Sequence, residues 1–228
     1  MRLRLLVLWV LYFAPGFAQS GSQPDGPHRM EILLERMNGP QWIKVDPRLV
    51  FAQNDRVRFR FRANFSGYLY VMDRTTSGKY EQLFPRDETG QDNRIAAGKD
   101  YLIPATDTVF RIAGPPGQEI IYWLVSPVEL GEGGHKYKPL PPPPPADQRL
   151  PQNMTPRCDD SIFRARGECV DSTAGPQRIA QGEKLPQNLA GKGQSRDLTF
   201  MRNENTSVVA SETPLTGPVI YEFRLAHK

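Results

Sequence analysis

Arginine stands at every second position from Arg56 to Arg62, with Val57, Phe59, Phe61 and Ala63 in the alternate places. Side chains of a β-strand alternate faces, so Arg56, Arg58, Arg60 and Arg62 share one wet face and the apolar residues share the other. Such a ladder can grip an anionic surface: lipopolysaccharide, an acidic glycan or phospholipid headgroups. It can equally be a solvated face whose charges are met by acids on neighbouring strands, such as Glu81 or Asp73. The segment Asp87–Asn93 offers oxygens that could hold calcium, but it departs from the EF-hand spacing, and Asp and Asn favour turns by bonding nearby backbone. No metal or cofactor is assigned. Phe65, Tyr68, Tyr70, Tyr80 and Phe84 could form a carbohydrate platform or a strand core. The three histidines are His28, His135 and His227. None stands in a triad-like pattern, and Gly-x-Ser-x-Gly, His-Glu-x-x-His and phosphate-loop motifs do not occur, so the chain reads as non-enzymatic. Cys158 and Cys169 are expected to form a disulfide, with Gly167 easing the return of the loop.

The elements that carry these residues read as β. Three runs joined by tight turns, Asp55–Ala63, Tyr68–Met72 and Lys79–Phe84, suggest an antiparallel meander, with Gly67 supplying a left-handed turn residue before the second. Met30–Met37 reads as a strand, and Asn38-Gly39 turns it back into Gln41–Val45. Gln118–Ser126 is apolar on both faces, as a central strand is. Tyr101–Ile103 and Thr108–Ile112 read as short strands, and Leu198–Met201, Thr206–Ala210 and Val219–Ala226 complete the set. In the last, Val219, Tyr221, Phe223 and Leu225 form a stripe that needs another sheet, and the hairpin around Met30–Val45 is its expected neighbour.

Several spaced motifs in this stretch carry a resemblance. Asn-x-x-Gly-Tyr-Leu-Tyr-Val at Asn64–Val71, Leu-Phe-Pro at 83–85, Asp92-Asn93-Arg94, Ala97-Gly98 and Tyr101-x-Ile103-Pro104 follow one another in order. Over about residues 45–126 the chain resembles the bacterial family called domain of unknown function 4384. The resemblance implies a β-rich module of bacterial envelope or multidomain proteins and supplies no reaction.

Residues 1–18 read as a secretory signal. Arg2 and Arg4 precede the apolar run Leu5–Phe13, and Gly16-Phe17-Ala18 sets cleavage between Ala18 and Gln19. The run is too short for a comfortable span, so the expected product has no transmembrane segment and lies in the periplasm or outside the cell. Removing two arginines lowers the formal charge from +4 to +2, which gives nucleic-acid binding no support. Residues 19–29 form a flexible lead-in and 30–130 the β-core. Gly 19 and Pro 22 of 228 residues fit a turn-rich β protein with a loose segment, 131–196, where five consecutive prolines at 141–145 make an extended spacer. That insertion is expected to bury little and to hold the Cys158–Cys169 loop away from the core, while 197–228 return to it. The fold expected is all-β: an antiparallel, Ig-like β-sandwich of eight to ten strands with a long Pro-rich irregular insertion before the C-terminal strands. The function expected is an exported envelope module that binds another protein or an anionic surface polymer. A carbohydrate-binding or enzyme-accessory module, or a hydrolase with an unrecognised site, stands as the alternative.

Overall fold

The computed structural model describes residues 28–130, 156, 158, 161–165, 167–179, 185, 189–191, 198–211 and 216–228. The expected leader, most of the lead-in, the proline run and His135 fall outside them. Thirteen strands occur among the described residues, more than the eight to ten expected, because short edge strands add to the long ones. In chain order they are β1 (His28–Asn38), β2 (Gln41–Val45), β3 (Arg56–Ala63), β4 (Gly67–Arg74), β5 (Tyr80–Phe84), β6 (Arg94–Ile95) and β7 (Asp100–Ile103). Then follow β8 (Phe110–Arg111), β9 (Gly117–Ser126), a short helix α1 (Ser161–Ala165), β10 (Gly175–Gln177), β11 (Leu198–Asn203), β12 (Thr206–Ser211) and β13 (Val219–His227).

They form two antiparallel sheets packed as a sandwich. Sheet I runs β11-β12-β1-β3-β7, with β2 also on β1 and β8 also on β3. Sheet II runs β10-β13-β9-β4-β5, with β6 also on β4. The Asn38-Gly39 hairpin forms as its sequence dictates, Gly39 taking φ 57°. The expected meander does not form: β3 and β4 lie in different sheets, and only β4 and β5 make a hairpin. The reason is burial. Crossing between sheets sets the stripe of β3 face to face with Leu69 and Val71 of β4, where a hairpin would leave the two stripes side by side. Gly67 has no left-handed backbone either. Its role is close approach, since a Cβ there would stand 2.5 Å from the Ser126 carbonyl oxygen.

The core sits between the sheets. Phe59 and Phe61 of β3 point at Trp123 of β9, with ring centroids 5.3 and 5.7 Å away, and Phe59 also meets Phe223 of β13 at 5.6 Å. All four side chains are fully buried. The stripe of β13 packs here, but the strand's own neighbours are β9 and β10, whereas the N-terminal hairpin belongs to sheet I.

The described part of 131–196 buries more than its composition suggests. Val170 is fully enclosed and bridges Leu49, and the Cys169 carbonyl accepts from the Val50 amide at 2.7 Å. Strand β10 extends sheet II along β13. Ile179, Leu185 and Leu189 cover its outer face over Met72, Tyr122, Leu124 and Ile220. A few apolar residues spaced along a polar text are enough to fasten it, so this part of the stretch packs onto the sandwich.

Candidate functional site

Two polar constellations stand out, one on the outside of sheet I and one inside the sandwich.

The outer face of sheet I is built around β3. With Val57, Phe59 and Phe61 buried, register places Arg56, Arg58, Arg60 and Arg62 on the other side. Antiparallel partners share a face, so β1 adds Arg29, Glu31 and Glu35, β2 adds Lys44, β7 adds Asp100 and β8 adds Arg111. Seven cations meet three acids, a surplus as large as the formal +4 of the whole chain. The acids are unevenly used. Glu35 accepts from Arg58 Nε at 2.5 Å and from Arg60 Nη2 at 3.4 Å, and the Arg58 guanidinium lies 4.2 Å over the Trp42 ring. Glu31 takes Arg29 at 2.9 Å. The expected acid partners Glu81 and Asp73 are not available to the ladder, because they belong to β5 and β4 of the other sheet. Part of the ladder is therefore a neutralised lattice around Glu35, and part, at Arg56 and Arg62, remains exposed cation.

The second constellation runs diagonally across four adjacent strands of sheet II, from Glu81 (β5) through Asp73 (β4) and Glu119 (β9) to His227 (β13). His227 is fully buried, and its Nε2 lies 3.1 Å from Glu119 Oε1. Glu119 Oε2 accepts the Thr76 amide at 3.2 Å. Asp73 is half-buried as a residue, but its Oδ1 is sealed from solvent. Burial, then the charges of Glu119 and Glu81 and a hydrogen bond to Glu119, hold the Asp73 carboxyl well above the usual carboxylate range, with Arg74 opposing. A raised proton affinity lets the carboxyl sit neutral beside the Glu119 charge, while Oδ1 itself has no hydrogen-bond partner. Glu119 thus bonds the Thr76 amide and the His227 ring and faces the Asp73 carboxyl. Sequence reasoning passed over this group, but a signal existed: Asp73, Glu119 and His227 fall in phase with the apolar stripes Leu69–Val71, Ile121–Trp123 and Phe223–Leu225. A charged residue in phase with a core stripe must be satisfied inside the fold. Glu119 and His227 are enclosed within the sandwich, so this end of the constellation reads as structural.

The remaining candidates are placed as follows. In Asp87–Asn93, Asp87 accepts from Gln91, Glu88 from Arg86 and Asp92 from the Arg94 amide, which is turn chemistry. Among the described residues no group of three or more His, Cys, Asp or Glu is arranged to hold a metal ion. Phe65 and Phe84 are core residues, and Phe65 stacks on His28 at 4.5 Å. Tyr68, Tyr70 and Tyr80 are half-buried, and the Tyr70 hydroxyl is engaged by the Leu130 backbone at 2.8 Å. The five aromatics are thus divided between core and surface and make no platform. Cys158 and Cys169 are joined, enclosing α1, and Gly167 takes φ 77°.

No curated protein and no solved structure is similar to this chain at a significant level. The segment that matches a family supplies β3 through β9, hence the arginine ladder, Arg111, Asp73 and Glu119, while β1, β2 and β10–β13 come from outside it. Residues 50–129 match the model of the family described as domain of unknown function DUF4384.

Proposed function

We propose that this chain is an exported, non-enzymatic envelope module that binds an anionic surface polymer across the outer face of sheet I. The observation that carries the reading is the charge surplus on that face, seven cations to three acids, set in register on paired strands. Successive arginines on one face of β3 lie about 6.7 Å apart, a row suited to an extended polyanion. The Cys158–Cys169 bridge supports an oxidising compartment, and no helix among the described residues is long and apolar enough to cross a membrane.

The reading is tested by binding purified protein to a linear polyanion at rising salt. Affinity should fall steeply with ionic strength, and Arg60→Glu with Arg62→Glu should abolish it. Equal affinity of that double variant and the parent would overturn the assignment of the face.

A further inference from the structure

At the end of the ladder, Arg56 of β3 stands directly opposite Arg111 of β8. Both are exposed, and no ion pair among the described residues uses either one. The nearest recorded contact of Arg56 is the Met37 sulfur, 3.8 Å from Nη1. Cβ atoms of directly opposed residues lie about 4.5–5.5 Å apart, and like charges so placed destabilise a sheet. Arg58 and Arg60 share the carboxylate of Glu35; Arg56 and Arg111 have no such acid between them. The strand β8 is only two residues long, so the opposition sits on a short edge element that needs no cation for its own stability.

We propose that Arg56 and Arg111 form a two-arginine clamp for a phosphate group carried by the anionic polymer. The inference rests on the reading of this face as the polymer-binding one and names the chemistry of its ligand. A guanidinium presents a planar fork of donors. One fork satisfies the two oxygens of a carboxylate, whereas a tetrahedral phosphate has oxygens for two forks approaching from different sides. Bound phosphate also converts the repulsion between the arginines into attraction to a shared anion, so part of the binding energy is relief of a strain present in the free protein. A carboxylated polymer relieves it less.

Calorimetric titration of the mature chain at fixed ionic strength, in a phosphate-free buffer, tests the clamp. The probes are linear polyphosphate, polygalacturonate and inorganic phosphate. Polyphosphate should bind more tightly than polygalacturonate, and Arg111→Gln should weaken polyphosphate about tenfold, the loss of one charge-assisted fork. Arg111→Lys should weaken it comparably, because the ammonium keeps the charge and loses the fork. Arg94→Gln, the same charge change on sheet II, should leave it within about twofold. Inorganic phosphate should raise the melting temperature of the parent more than that of Arg111→Gln, whose own melting temperature should be no lower than the parent's. Arg56→Gln provides the same test from the other strand should Arg111→Gln fold poorly. If the parent binds polyphosphate but Arg111→Gln and Arg56→Gln bind it as tightly as Arg94→Gln does, the clamp is overturned while the face survives. Binding of neither polymer by the parent overturns both. Tight inorganic phosphate with no gain from the polymer overturns the polymer as its source.

Discussion

Asp73→Asn should remove a pH dependence from the stability of this protein. In the folded chain the Asp73 carboxyl is held protonated by burial and by the negative charges of Glu119 and Glu81. In the unfolded chain it titrates near its ordinary value of 3.8. The folded state therefore keeps a proton that the unfolded state gives up. Stability is full below about pH 4 for this group and falls as pH rises toward its folded-state value. Over that window one proton of difference lowers the unfolding free energy by about 1.4 kcal/mol per pH unit. Asparagine cannot titrate, yet its amide still donates to Glu119, so the variant keeps the hydrogen bond without the slope. Urea unfolding of parent and variant over a pH series rising from about pH 4 measures it. The difference between their stabilities should move steadily in favour of asparagine with rising pH, other titrating groups cancelling between the two proteins. Parallel pH profiles would refute the raised proton affinity of Asp73.

Phe59→Ala removes a fully buried ring that touches Trp123 and Phe223, and should cost about 3–5 kcal/mol in urea unfolding; below about 0.5 kcal/mol the side chain is not core. Gly67→Ala forces a methyl to within 2.5 Å of the Ser126 carbonyl oxygen and should cost about 1–3 kcal/mol in the same melt. Replacing Cys158 and Cys169 by serine opens a loop of sequence separation 11, and chain entropy sets the loss at up to about 3 kcal/mol. Free-thiol titration of the denatured, unreduced protein should find no reactive thiol.

How much of this was legible depends on the distance over which each feature is decided. The alternation in β3 is local, and its register follows from residues 56–63 alone: slipping by one would bury four guanidiniums. The Asn38-Gly39 hairpin and the both-faces burial of β9 are local in the same sense. Pairing is not. The turn between β3 and β4 is short enough for a hairpin, and only the need to set one apolar stripe against another across the core sends the two strands to different sheets. The same non-locality hid the acid partner of the ladder. Glu35 lies more than twenty residues before the arginines it serves, on a strand whose place beside β3 no local pattern specifies.

The two constellations relate to the sequence in opposite ways, and the contrast separates the role of one from that of the other. Asp73, Glu119 and His227 break the apolar phase of their strands, and they find partners in one another inside the fold. Part of their cost is met within the chain, through the bonds of Glu119 to Thr76 and His227, although Asp73 Oδ1 and His227 Nδ1 are left without hydrogen-bond partners. Arg56 is a rung of the alternating ladder and Arg111 an ordinary surface arginine, and nothing in either strand marks them as opposed to each other. Only the register of a two-residue strand 55 positions away turns two ordinary surface arginines into an opposed pair. Their repulsion is met by no group on this face among the described residues. An arrangement that the fold does not compensate is stabilised by whatever compensates it from outside. An anion with oxygens for two forks is the simplest object that does so.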